Sequence, residues 1–257
     1  MKLRSIGTAV AATTVGFTLL APRALAVQGT PVRVLASNGV KAALEELRPQ
    51  CERAIGHQLA LKFNSTASVK KEIEAGEGFD VAIITSDAIG DLIKQGKLAG
   101  GSRADLGRSE LGIGIRTGAA RPDIHTAEAL KRTLRDAQSI TYPQDGASRA
   151  YIEQMFERLG IAADVKPRII LAQGSGPATE SVAAGKAALV ITLFSEIVPI
   201  HGVEILGPLP GELHYDIRFG AAASATANNA EAAKALITFL AGPGSAPTFK
   251  ANGLEPR

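Results

Sequence analysis

Residues 62 to 87, KFNSTASVKKEIEAGEGFDVAIITSD, leave this chain few ways to fold. Just before and into this stretch, Leu59, Leu61 and Phe63 alternate as a strand does. Asn64-Ser65-Thr66-Ala67-Ser68 then supplies a hydroxyl-rich turn, Val69 and Ile73 repeat at helical spacing, and Val81 to Ile84 is a continuous apolar run. Strand, turn, helix and buried strand in that order make a parallel βαβ unit. The first N–H groups of its helix lack intrahelical partners and point beyond the carboxyl edge of the sheet, where an anion is stabilised.

The same alternation of strands and helices continues on both sides. Val32 to Ala36 is a short strand, followed by the turn Ser37-Asn38-Gly39 and a helix carrying Val40, Ala43, Leu44 and Leu47. That helix is expected to end near Pro49, with a second helical piece around Cys51 to Ile55. A helix over Ile89 to Lys94, a loop from Gly100 to Arg108 and a strand from Leu111 to Ile115 complete a first α/β series. A second series follows. It has a helix after Thr126, a strand Ile140–Tyr142 and the turn Asp145-Gly146-Ala147-Ser148. A helix from Arg149, a strand Ile169–Ala172, the turn Gln173-Gly174-Ser175-Gly176 before Pro177, a further helix and the strand Ala188–Leu193 complete it. An Ala-rich helix, Ala230–Leu240, then suggests a return to the first series. The expected fold is α/β in two lobes joined by two crossover strands. Residues 27–112 and 220–257 form one lobe and 113–219 the other.

Residues 1–26 read as a secretory signal peptide: Lys2 and Arg4, a mostly apolar Ile6–Leu20, and Ala24-Leu25-Ala26 as the cleavage site. Export into a bacterial periplasm is the expectation. The full chain has 28 basic and 25 acidic residues. Lys2, Arg4 and Arg23 would leave with the signal, so the mature protein is formally neutral. Its composition therefore gives no support for nucleic acid or an anionic membrane as partner. Cys51 is the single cysteine, which excludes an internal disulfide and a cysteine metal cluster. The absence of Trp and an aromatic content of 4% argue against a site that stacks sugars.

Four strand-to-helix turns, two per lobe, now share one character. If the lobes face each other across their carboxyl strand edges, Ser37, Asn38, Gly39, Ser65 and Thr66 meet Ser148, Arg149, Gly174 and Ser175 in one cleft. Four helix N-termini with hydroxyl donors make an anion site without net positive charge. Arg149 could grip a carboxylate with two hydrogen bonds, and Arg218, Tyr142 and Tyr215 are further candidates. His57, His125, His201 and His214 show no metal-ligand spacing, and no metal or cofactor is expected. Gly174-Ser175-Gly176 is not a nucleophile elbow and no phosphate-binding loop is present. A catalytic group would have to come from positions such as Glu180 or Asp145, near helix starts.

The segment FNSTASVKKEIEAGEGFDVAIITSD resembles the corresponding stretch of molybdate-binding periplasmic proteins of ABC transporters and other type II extracellular solute-binding proteins. The likeness continues through DGASRAYIEQMFERLGI, ESVAAGKAALVITLFSEI and ALITFLAGPGSAPTFKANGLEP. It implies a monomeric two-lobed protein that closes on a small anion and delivers it to a membrane permease driven by a cytoplasmic ATPase. It implies no catalysis; an enzyme or a ligand-sensing subunit on the same fold is the alternative. By resemblance, Thr66 takes the place of a ligand-binding Ser, Ser148 lies at a helix start whose backbone N–H binds the oxyanion, and Ser175 lies near a third, backbone contact. Gly39 stands where a Ser is usual and Leu193 where a Tyr is frequent. Loss of those two hydroxyls, with Arg149 beside the turn, points away from a tetrahedral oxyanion and toward a small carboxylate.

Overall fold

The computed structural model describes residues 29–256; the segment read as a signal peptide lies outside them. Ten strands and ten α-helices alternate through most of the described chain. The first lobe opens with β1 (Val32–Ser37), α1 (Lys41–Ile55), β2 (Leu59–Asn64), α2 (Thr66–Glu74), β3 (Val81–Thr85) and α3 (Ser86–Lys94). β1 pairs in parallel with β2 on one side and β3 on the other, as a βαβ chain requires.

β4 (Ala104–Arg116) links the lobes. Its first half pairs antiparallel with β9 (Asp216–Ala223) in the first sheet, and from Leu111 onward it pairs with β7 (Leu189–Leu193) in the second. The second sheet also contains β5 (Ile140–Pro143) and β6 (Ile169–Ala172), both parallel in register, and β8 (Val203–Pro208) on the other side of β4. The helices of this lobe are α4 (Ala127–Asp136), α5 (Arg149–Arg158), α6 (Ala162–Val165), α7 (Ser175–Ala183) and α8 (Phe194–Ile197). The return passage from β8 to β9 is pinned to β4, because Leu111 donates its N–H to Tyr215 O at 2.8 Å and accepts from Leu209 at 3.1 Å. α9 (Ala230–Leu240) then packs on α1, and α10 (Ala246–Ala251) and β10 (Glu255–Pro256) close the chain against the first lobe and β4. This is the expected two-lobed α/β architecture, with apolar layers on both faces of each sheet.

Two expectations need correction. α1 runs unbroken through Pro49 to a left-handed cap at Gly56. Leu44, Leu47 and Cys51 hold one buried stripe across the proline, and Arg48 and Glu52 pair at 2.9 Å while both bond the backbone of Leu59. That tertiary support outweighs the missing N–H. Burial on that stripe pushes the Cys51 thiol up to about 12, so it stays protonated. The second correction concerns residues 100–108, where β4 already starts at Ala104. A register shift between Asp105 and Gly107 breaks the alternation that a sequence reading looks for, and a Cβ at Gly107 would lie 2.7 Å from Glu255 O of β10.

Candidate functional site

The carboxyl ends of β1, β2, β5, β6 and β7 converge between the lobes. Ser37 closes the end of β1: its Oγ accepts from Gly39 N at 3.4 Å and starts the short 3-10 turn Asn38–Val40. Ser65 caps α2 by accepting from Ser68 N at 3.2 Å, with its own N–H held by Asn64 Oδ1 at 2.9 Å. Thr66, the first residue of α2, is only 8% exposed, and its Oγ1 has no hydrogen-bond partner among the described residues. A buried hydroxyl left so costs free energy unless a ligand or water completes it.

The opposing wall comes from the second lobe. Asp145, Gly146 and Ala147, in the turn before α5, face Ser37, Asn38, Ser65 and Thr66 across a narrow space of about 10 Å³, with Ser175 and Glu196 beside them. This neck opens on two sides. One side is a 410 Å³ cavity that shares Asn38, Ser175 and Glu196 with the neck and adds Lys41, Gly174, Glu180 and Ser195. The other is a 420 Å³ cavity reached past Ala147 and bounded by Ser86, Asp87, Tyr215 and Arg218. Gly174 has a φ of +93°, a conformation that suits glycine and lets α7 begin at Ser175.

The residues expected from sequence are thus distributed in three ways. Ser37, Asn38, Ser65, Thr66 and Ser175 line the neck, and Gly174 lines the cavity beside it. Gly39 is buried under Phe219, where a Cβ would meet the ring Cζ at 2.4 Å. Ser148 is buried behind its turn, and Gly146 and Ala147 supply the surface there. Arg149 turns away: Nε pairs with Glu153 at 2.9 Å and Nη1 donates to Gln144 O at 2.6 Å. Tyr142 belongs to the core, where burial raises its phenol pKa. Tyr215 stacks on Tyr151 with ring centroids 4.0 Å apart and still reaches the second cavity.

Glu196 was not anticipated. It sits in the first turn after β7, half-buried, lining both the neck and the cavity beside it. Its Oε2 accepts from Thr192 Oγ1. Removal from water pushes the carboxyl above the ordinary carboxylate range; donors from Thr192, Ser175 and the Leu193 backbone pull the other way, and Asp145 adds to the rise. The sequence signal was present but unused: β7–α8 is a further strand-to-helix turn of the same kind, as is Thr85-Ser86-Asp87. Lys41 was also overlooked. It is a cation at the first position of a helix with no acidic residue in its first turn, against the helix dipole.

A family of bacterial extracellular solute-binding proteins matches residues 32–255, nearly all of the described chain. The chain belongs to this family. An aconitate isomerase from a Pseudomonas species is 31% identical over 235 residues, covering 88% of both chains. The molybdate-binding protein ModA of Azotobacter vinelandii is 26% identical over 236 residues, with 90% of this chain and 92% of that one covered. The solved structure of the Azotobacter vinelandii periplasmic molybdate-binding protein superposes with a TM-score of 0.72 at 21% identity, over 87% of this chain and 98% of that one. The resemblance read from FNSTASVKKEIEAGEGFDVAIITSD therefore holds across this solute-binding protein. Its fold and broad class are those of the molybdate-binding-like proteins.

Proposed function

We propose that this solute-binding protein takes a small anion bearing carboxylate groups into the cleft between its lobes, in the periplasm. One observation carries the reading: Thr66 Oγ1, buried without a partner, lies at the start of α2 in a space walled by both lobes. A carboxylate oxygen there would accept from that hydroxyl and from the free N–H groups of the first helical turn. Lys41, at the mouth of the adjoining cavity, adds a cation that the helix itself disfavours.

Three features support a carboxylate over molybdate. Phe219 occupies the place a side chain at Gly39 would need, so no serine hydroxyl is supplied there. Leu193 supplies no hydroxyl either. The relative of highest identity described above is named for a tricarboxylate. Arg149, bound to Glu153 and Gln144, takes no part in this version of the site. Transport would follow if the closed protein docks on a membrane permease with its cytoplasmic ATPase.

A thermal-shift screen of the purified protein against molybdate, tungstate, sulfate, phosphate and small di- and tricarboxylates tests the reading. A ligand at a hundred times its dissociation constant adds about 2.7 kcal/mol to stability. A carboxylate shift is the expected result. Nanomolar binding of molybdate or tungstate would overturn the carboxylate assignment while leaving the cleft intact.

A further inference from the structure

We propose that Glu196 makes the cleft a proton-transfer site, so that an unsaturated carboxylate held there undergoes a shift of its carbon–carbon double bond. The proposal rests on the carboxylate reading above. Glu196 lies where the neck meets the 410 Å³ cavity, and both spaces touch it. Thr192 holds one carboxyl oxygen, and Ser175 supplies a second hydroxyl to the same group. A carboxyl fixed in this way, at the floor of a two-lobed cleft, has the placement of a general acid–base group.

The ionisable groups around it are compatible with that role. Asp145 approaches from the turn before α5, Glu180 lies on α7, and Lys41 and Glu45 lie on α1 across the same cavity. Burial above all, and to a lesser degree Asp145, favours the neutral acid, which brings the group nearer to working pH and makes its carboxylate form a stronger base. Two hydroxyls, Thr66 Oγ1 in the neck and Ser195 Oγ beside the cavity, have no partner among the described residues. They are available to a substrate carboxylate on which charge builds up.

The step balances without any cofactor. Carboxylate Glu196 removes a proton from a methylene that lies between a carboxylate and a carbon–carbon double bond. The C–H electron pair spreads through the double bond to the far carbon. Glu196, now protonated, returns the proton to that far carbon, so one C–H bond is broken and another formed. The double bond moves by one position, and Glu196 ends as it began. In a tricarboxylate such as aconitate, this exchange interconverts the two geometric isomers.

The test is proton NMR of cis- and trans-aconitate incubated with the purified protein in D2O, alongside calorimetric titration of both. The expected result is deuterium uptake at the methylene carbon with interconversion of the isomers. Glu196→Gln should slow both by about 100-fold or more while leaving aconitate affinity within about threefold. Aconitate binding without deuterium uptake by the wild-type protein would overturn the proton transfer and leave the binding reading standing. No binding of any carboxylate would overturn both. A Glu196→Gln protein that turns over as fast as wild type, or one whose slower turnover is matched by lost affinity, would also overturn it. If that variant does not fold, Thr192→Val decides. Removing a donor that stabilises the charged carboxyl should move the acidic limb of the kcat/KM profile to higher pH, and an unmoved limb would overturn the assignment.

Discussion

The first-lobe wall of the cleft spends most of its hydroxyls on its own backbone, whereas the second-lobe wall presents glycines, backbone and a carboxyl. Ser37 and Ser65 each close the turn they stand in, and only Thr66 is left over. On the facing side Gly146, Ala147 and Gly174 bring main chain to the surface, and Glu196 stands among them. The first wall therefore suits anions in general. Selectivity and any chemistry are expected from the second, where burial raises the pKa of Glu196 beside the space that both walls share.

The sharpest way to break this contrast is at Thr66. Thr66→Leu fills the neck and removes its one free hydroxyl, so ligand affinity should fall by roughly 100-fold, with the melting temperature nearly unchanged. Calorimetric titration and a thermal melt read the two effects separately. A large loss of stability with binding intact would make Thr66 a structural residue like its neighbours. Gly39→Ser tests whether the first wall has room for another hydroxyl. Its Cβ would stand 2.4 Å from the Phe219 ring, and such overpacking costs about 1–3 kcal/mol in urea unfolding. Phe219→Leu in the same chain should recover part of that loss through coupling between touching residues.

The carboxyl of the second wall should reveal itself through pH. Its folded pKa is raised above the ordinary value of 4.5, so the folded state keeps a proton that the unfolded chain releases. The stability this contributes is fully present below that value and is lost as pH rises through the folded pKa. In Glu196→Gln this component disappears. The difference in stability between wild type and variant should therefore change steadily upward from mildly acidic pH, as measured by urea unfolding in a buffer series. A pH-independent difference would mean that Glu196 is charged in the folded protein. The smallest effect is expected at Arg149. Arg149→Ala should alter ligand affinity by less than about threefold and stability by about 0.3–0.5 kcal/mol, as for an exposed i,i+4 pair. A large loss of affinity would place its guanidinium in the cleft.

The sequence made the framework readable because the pattern was local. Val81 to Ile84 and Leu189 to Leu193 are apolar runs bounded by turns, and Ser65 and Thr126 stand at true helix starts with their side chains on the backbone of the first turn. The hydroxyls of the first wall were readable for the same reason. Arg149 and Ser148 show the limit of that approach. Their position at the start of α5 is local information, but a strand-to-helix turn does not say which side chains face the cleft: Arg149 is taken up by Glu153 and Gln144, and Ser148 by the core behind. Glu196 was missed because nothing beside it in sequence marks it. What sets it apart is burial opposite Asn38 and Thr66, more than a hundred residues earlier in the chain. Phe219 over Gly39 is likewise a contact between the turn after the first strand and the ninth strand.

The joint between the lobes includes the end of the chain. Ser109, on β4 just before the strand changes sheets, donates to Gly253 O at 2.9 Å and accepts from Ser195 N at 3.0 Å. A single hydroxyl thus ties the linking strand, the start of α8 and the C-terminal segment into one clasp. The carboxyl-terminal residues are consequently not a free handle for attaching other things. A bulky graft between Gly253 and Glu255 would have to displace the Ser109 hydrogen bond to Gly253 and the pairing of β10 with β4, so it should loosen this clasp.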